Sequence, residues 1–303
     1  MNVFITGGAG FIGSHIVDRL LSFGAKVKIF DNMSTGNNDN INKNAEFIYG
    51  DIRDTITLDK ALENCDTIFH LAAFTSVPES FFNKNECREI NEIAFKNILS
   101  VAAKKNVKKI IFSSSSAVYP DDALGPFNEQ SKVVPSSPYG QSKLCGESLL
   151  KQWCKENGVR VGAALRYFNV YGPRQEADSD YASVIPKFLS KIKNNKPITI
   201  YGDGSQTRDY IYVSDIVGAN IKVMEYLGFN TYAVGTGIEY SVNKLVEKIK
   251  NLTKINVKIS NSPLPKGDAL RSFADSSYLK KTGWKSNIKI IEGLEPTWKY
   301  FNN

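Results

Sequence analysis

The sequence predicts an α/β protein: a Rossmann-type doubly wound parallel sheet with a smaller α/β substrate-binding part towards the C-terminus. Three observations carry that reading. Short apolar runs alternate with amphipathic helical stretches through the first half of the chain. The first run, NVFIT, passes directly into a glycine-rich turn, GGAGFIG, and then into a helical pattern. Beyond residue 167 the alternation loosens into shorter elements punctuated by Gly and Pro.

The β-like runs follow in order: NVFIT (2–6), KVKIF (26–30), EFIYG (46–50), DTIFHL (66–71) and KKIIFSS (108–114). RVGAALRY, at 160–167, adds one more. Runs this short and this apolar suit strands buried on both faces. After the first, Ile12, Ile16 and Leu20 recur on one helical face and Gly24 supplies the stop. Later helices are expected around 88–105 and 139–157, the second stopped by Gly158. The segments YGPRQ, YGDGSQTRD and PLPKGD then separate shorter elements. No repeat or linker divides the chain, so the two parts are expected to share a cleft, with the smaller contributing a lid.

Composition narrows the function classes. A chain of 303 residues, 42% hydrophobic and 23% charged, is an ordinary globular composition with room for a large core. No apolar run approaches the roughly 18 residues of a membrane helix. MNVFITGGAG enters a strand at once, without a basic stretch and an apolar run of the secretory kind, so a cytoplasmic protein is expected. The net charge of +7 is scattered, as at Lys104–Lys105 and Lys108–Lys109, and no basic stripe with interleaved aromatics suggests nucleic acid. Cys65, Cys87, Cys145 and Cys154 form no Cys-x-x-Cys pair, and His15 and His70 are the only histidines. No metal site is expected, and the thiols read as buried structural groups.

The glycine turn carries the first chemistry. Gly7, Gly10 and Gly13 satisfy Gly-x-x-Gly-x-x-Gly, and Gly8, Gly10 and Gly13 also satisfy Gly-x-Gly-x-x-Gly. A turn this tight lets backbone approach a pyrophosphate, which then sits at the positive end of the following helix. Asp31 ends the second run, 18 residues beyond Gly13, where a carboxylate can accept from both hydroxyls of an adenosine ribose. A 2′-phosphate would meet that charge, and Asn32, Met33 and Ser34 offer no cation to relieve it, so NAD is favoured over NADP. The expected division is an NAD-binding domain over 1–166, with segments returning from 209–235, and a mainly substrate-binding domain over 167–303.

A second signal is Tyr139–Lys143, in SPYGQSK. With 14 tyrosines such a spacing arises by chance, and Tyr240–Lys244 repeats it. What distinguishes the first copy is its context. Ser115 stands 24 residues earlier, at the exit of the fifth run, where ligands bind in parallel sheets. Positions four apart share a helix face, so Tyr139 and Lys143 can both point into that crevice. One positive charge at about 4 Å is worth roughly 4 kcal/mol at an effective dielectric of ~20, or about 3 pKa units. Lys143 together with a positive nicotinamide ring could thus bring a tyrosine from ~10 to near 7.

With TGGAGFIG, DNMSTG, GDIRD, FHLAA, SSSSAVY, YGQSK, RYFNVYGPRQ, YGDGSQTRDYIYVSD and a late GD…S-x-AD in place, the chain resembles the extended short-chain dehydrogenase/reductases over nearly its whole length. Within them it is most similar to nucleotide-sugar epimerases of the UDP-glucose 4-epimerase type. The resemblance implies Tyr139 as base, Ser115 as the residue steadying the sugar hydroxyl, and Lys143 as a partner of both the tyrosine and the nicotinamide ribose. It implies an NAD pocket that includes Phe11, Ile12, Asn32, Ser34, Thr35 and Gly36, then Asp51, Ile52, Leu71, Ala72, Ala73, Asn91, Ser113 and Phe168. For the nucleotide sugar it implies Asn169, Val184, Tyr201, Arg208, Asp268, Arg271 and Ser272. Tyr240–Lys244 matches no such motif and is assigned to a helix surface. A homodimer packed through the helices near 88–105 and 139–157 is also implied.

Departures from the pattern are local. Pro265 stands where the epimerases carry a diphosphate-clamping arginine, leaving Lys266 or Arg271 to replace it. Ala94–Phe95 replaces a Gly-Thr, and Pro120 a glycine. Dehydratases of the family need an acidic pair beside the active-site serine or threonine, and decarboxylases a glutamate; here Ser116 and Ala117 follow Ser115. That favours 4-epimerisation of a UDP-hexose. The alternatives are another nucleotide-sugar oxidoreductase or dehydratase of the family, or a non-catalytic NAD-binding sensor.

Overall fold

The computed structural model describes residues 1–158, 161–177, 183–263 and 269–302. In chain order the strands of the first half are β1 (Asn2–Thr6), β2 (Lys26–Asp31), β3 (Glu46–Tyr49), β4 (Thr67–His70), β5 (Lys109–Ser115) and β6 (Val161–Tyr167). Short strands follow: β7 (Asn169–Tyr171), β8 (Ile198–Tyr201), β9 (Thr207–Tyr212), β10 (Gly228–Val234), β11 (Glu239–Ser241), β12 (Ile259–Ser262) and β13 (Arg271–Ser272).

Seven strands make one parallel sheet in the order β10-β6-β5-β4-β1-β2-β3. Strand order reverses between β1 and β4, which opens a crevice at the carboxyl ends of those strands. Side chains alternate between two cores. Val3, Ile5 and Ile29 face one with Ile16 and Leu20 of the first helix, Phe11–Ser22. Phe4, Phe30 and Ile110 face the other with Phe95 and Trp153. Each fully buried side chain of this kind contributes about 1.5–3 kcal/mol, so both faces must stay covered. That is why the runs read as continuously apolar.

The C-terminal part is built around β9, which pairs with β7, β11 and β13, while β8 pairs with β12. Its own core includes Tyr171, Phe188, Leu189, Leu245 and Leu294.

Two expectations need correction. The helix expected near 88–105 is Lys84–Arg88, a wide π-type turn at Glu89–Ile93, and then Ala94–Lys104. The wide turn holds buried Asn91, whose amide is committed to tertiary hydrogen bonds. Tyr240 does not lie on a helix surface. It is the middle residue of β11, opposite Arg208, and packs against the C-terminal core, while Lys244 lies in the following helix, Val242–Thr253. The Ser241 cap separates the two residues structurally, so a spacing of four carries no shared face here.

Candidate active site

A cleft of about 1770 Å³ crosses the carboxyl ends of β1, β2, β4 and β5 and continues to the C-terminal part. Pockets for one drug-sized ligand run about 300–1,000 Å³, so this one has room for two. At one end lies the glycine turn. Gly7 has φ 71°, and a Cβ there would stand 2.6 Å from the backbone nitrogen of Ala72. At Gly13 a Cβ would stand 2.1 Å from the Gly7 carbonyl oxygen. Gly10 is different: its Cβ would meet only that carbonyl oxygen, at 3.2 Å, and otherwise open space. No side chain caps the helix that follows, so its first-turn N–H groups at Phe11, Ile12 and Gly13 face the cleft as an anion site.

The ribose-binding candidate is also in place. Asp31 is buried at the end of β2, where its carboxylate accepts from the backbone N–H of Ala9 at 3.0 Å and Met33 at 2.9 Å. Asn32, Ser34 and Thr35 line the wall beside it, with Gly36 packed on Asp31 and Ala9. Asp51 and Ile52 close the far side. The Asp51 carboxyl accepts from Asn32 and from two nitrogens of Arg53, which hold it well below the usual carboxylate range. Glycine turn, open helix start and seated carboxylate together fit a dinucleotide.

Midway along the cleft Ser115, Tyr139 and Lys143 converge. Ser115 ends β5, where its hydroxyl accepts from Ala117 N–H at 3.2 Å and lies beside the Tyr139 phenol at the cleft. Tyr139 and Lys143 lie one turn apart on the helix Pro138–Asn157, which Ser137 caps through Gly140 N–H. Tyr139 keeps part of its surface open to the cleft. Burial pushes the phenol up to about 12, although the neighbouring Ser115 hydroxyl acts to lower it. Burial pulls Lys143 down to about 8. Its Nζ donates to the Ser113 carbonyl at 3.0 Å and lies 5.7 Å from the Tyr139 ring centroid. The expected lowering of the tyrosine towards 7 is therefore not achieved by the protein alone. Lys143 is directed at a carbonyl, and desolvation of the phenol dominates.

Leu71, Ala72, Ala73, Ser113 and Phe168 line the cleft beside this trio. Asn91 does not. It braces the wall from behind, exchanging hydrogen bonds with the Phe74 backbone and donating to Ser142 at 2.9 Å. On the substrate side Asn169, Arg208 and Ser272 line the cleft. Val184 and Tyr201 line an adjoining cavity of about 310 Å³ that Asn169 and Arg208 share. Arg271 points elsewhere: it is half exposed and doubly bonded to Glu239, the outer partner its position on β13 gives it. Asp268, with Pro265 and Lys266, lies outside the described residues.

Several lining residues were not read from the sequence. The segment Thr75–Phe82 forms one wall, with the short helix Val77–Phe82 capped by Ser76 through Glu79 N–H. Its signal was present as Ser-x-x-Glu with a proline in the first turn. Arg174 carried no local signal, because its partner Asp18 is brought to it only by tertiary structure.

Comparison with known proteins agrees with this geometry. The NAD dependent epimerase/dehydratase family matches residues 3–235. A UDP-glucose 4-epimerase of Lactobacillus helveticus is 32% identical, covering 99% of this chain and 97% of the relative. Among solved structures, a UDP-glucose 4-epimerase of Thermotoga maritima, with UDP-glucose, superposes with a TM-score of 0.95 at 36% identity, covering 99% and 98% of the two chains. A UDP-N-acetylglucosamine 4-epimerase of Methanobrevibacter ruminantium M1, in complex with UDP-N-acetylmuramic acid, gives 0.94 at 41% identity, covering 99% and 97%. With a family match over residues 3–235 and relatives that cover nearly the whole chain, this chain belongs to the NAD dependent epimerase/dehydratase family.

Proposed function

We propose that the chain interconverts UDP-hexoses differing at carbon 4, through a transient 4-keto sugar, with NAD regenerated in each cycle. The observation that carries this reading is the convergence of Ser115, Tyr139 and Lys143 midway between a dinucleotide cradle and Arg208 in one continuous cleft. NAD, when bound, supplies the hydride acceptor and donor. Tyr139 takes the proton of the 4-hydroxyl and returns it from the same phenol, while Ser115 holds that oxygen. Lys143 adds positive charge behind the tyrosine. Asn169 and Arg208 hold the diphosphate, for which a planar guanidinium is suited.

No carboxylate follows Ser115 directly, where Ser116 and Ala117 stand, and this favours epimerisation over elimination or decarboxylation. We divide the chain functionally into an NAD-binding part, residues 1–166 with segments returning from 209–235, and a substrate-binding part formed mainly by residues 167–303. We also assign it to the cytoplasm as a homodimer packed through the helices Ala94–Lys104 and Pro138–Asn157. Light scattering that found a stable monomer of 33.7 kDa at micromolar concentration would exclude the dimer.

The decisive experiment incubates the purified protein with UDP-glucose, UDP-galactose and their N-acetylated counterparts, without added cofactor, and resolves the products by NMR. Interconversion of either pair supports the reading. Absence of any 4-epimer, from protein shown to carry NAD, overturns it.

A further inference from the structure

Beneath the reacting groups lies a buried polar network that the epimerisation chemistry does not use. Glu147 is on the helix of Tyr139 and Lys143, one turn past the lysine, and it is 5% exposed. Its carboxylate accepts from Arg166 Nε at 2.8 Å, Arg166 Nη2 at 2.7 Å and the Ser114 hydroxyl at 2.6 Å. Arg166, on β6, is equally buried, and its Nη1 donates to the Tyr119 hydroxyl at 3.3 Å. Tyr119 in turn donates to the Asn128 carbonyl at 2.9 Å, and Asn128 Nδ2 donates to Asp275 at 3.3 Å.

Ser114 and Tyr119 flank the segment that carries Ser115. Ser114 precedes it on β5, and Tyr119 ends the 3-10 turn Ser116–Val118 that the Ser115 hydroxyl caps. One ion pair thus grips both ends of the serine segment, and its carboxylate belongs to the tyrosine helix. A purely structural ion pair could sit anywhere in the core, since buried pairs are weak evidence of stabilisation. This one bridges the two elements whose separation sets the Ser115–Tyr139 contact.

We propose that Glu147 and Arg166 are positioning residues for the reaction, fixing Ser115 against Tyr139 by holding Ser114 and Tyr119. The proposal rests on the epimerase reading for its kinetic consequence only; the alignment itself is a property of the protein. Other charged or titratable groups facing Tyr139 are Lys143 on its own helix and Cys87 on the helix Lys84–Arg88, with His70 across from Lys143. None of these changes in the test.

Two variants separate alignment from stability. Ser114→Ala removes one bond to the carboxylate and leaves the ion pair whole. The double variant E147L/R166M removes both charges together, so no buried charge is stranded and no net charge is lost near the phenol. Each is studied folded and NAD-loaded, and the Tyr139 phenolate is titrated by ultraviolet absorbance against the same background carrying Tyr139→Phe. Loss of alignment moves the Ser115 hydroxyl, which favours the phenolate, away from the phenol, so the titration moves up, by about one pH unit in the double variant. Turnover falls at least about tenfold, with nucleotide-sugar KM nearly unchanged. Ser114→Ala moves both readouts in the same direction by less. If both variants titrate and turn over like wild type, the pair is structural only and the proposal is wrong. If wild type turns over no UDP-sugar while the titration still shifts, the epimerase reading fails and the positioning role stands.

Discussion

Lys143 Nζ donates to the main-chain carbonyl of Ser113, 3.0 Å away, and so ties the tyrosine helix to β5 two residues before Ser115. That bond holds a lysine that the fold would otherwise disfavour. Burial lowers Lys143 to about 8, against about 10.4 for a free lysine, so the folded state penalises the charged form. The sign follows directly. The penalty is fully present below pH 8, shrinks as pH rises, and is gone above about 10.4. At about 1.36 kcal/mol per unit it amounts to roughly 3 kcal/mol, less about 1 kcal/mol for the hydrogen bond lost on substitution. Lys143→Met should therefore melt higher than wild type at pH 7, by an amount that vanishes near pH 10, while losing activity. Calorimetry of cofactor-free protein at both pH values checks it; a variant less stable at pH 7 would show that burial is not the controlling cost.

Burial disfavours charge on Tyr139 as well, and for an acid that moves the pKa the other way. Its phenol is pushed to about 12 by burial, so at neutral pH it carries its proton in the protein alone. A positive nicotinamide ring beside it favours the phenolate, and NAD loading should lower its titration. Tyr139→Phe should cut turnover by about 10²–10⁴ and leave NAD binding intact. Near-full activity of that variant, with its fold unchanged, would remove Tyr139 from the chemistry.

How much of this was legible depended on whether the signal was local. The glycine turn, the Asp31 position and the Tyr139–Lys143 face are set by residues adjacent in sequence, and each was readable. The parallel strands were readable because both faces are covered, which leaves an uninterrupted apolar centre in runs such as NVFIT and KKIIFSS. Tyr240 was misread because a strand-to-helix junction breaks a four-residue spacing without altering its letters. Arg271 and Asn91 were assigned to ligands by resemblance, but their side chains are committed to Glu239 and to Phe74 and Ser142. Such commitments come from elements distant in sequence and leave no local trace.

Asp31 supports a prediction about cofactor choice. Its carboxylate is fixed by two backbone donors, and Arg53, beside this end of the cleft, is committed to Asp51. Asp31→Ser removes the acceptor for ribose hydroxyls, and hydrogen bonds to a charged group are worth about 1.5–3 kcal/mol. NAD affinity should drop by about 10- to 100-fold, and the preference over NADP should shrink by a similar factor because the repulsive charge has gone. Titration calorimetry with each cofactor on stripped protein measures both; an undiminished preference for NAD would place discrimination elsewhere.

Ser272 governs the last prediction, which concerns the size of the sugar. The resemblance to nucleotide-sugar epimerases implies that the residue two before the late Ala-Asp, here Ala274–Asp275, closes the pocket around the sugar's 2-substituent. Ser272 lines the cleft on β13 and lies opposite Arg208 in the parallel register of β9. Phe127 N–H donates to the Phe273 carbonyl at 2.9 Å, and Ala274 N–H donates to buried Asp209 at 3.2 Å, so the strand is pinned on the side beyond Ser272. A serine there leaves space that an aromatic ring would fill. The N-acetylated pair, UDP-N-acetylglucosamine and UDP-N-acetylgalactosamine, should be interconverted at least as readily as UDP-glucose and UDP-galactose. Ser272→Tyr overpacks the site for the acetyl group at a cost of about 1–3 kcal/mol, or about 5- to 150-fold in kcat/KM for the acetylated pair alone. Measuring both pairs on both proteins decides it. Rejection of the acetylated sugars by wild type, or equal turnover of them by the tyrosine variant, would show that Ser272 is not the gate.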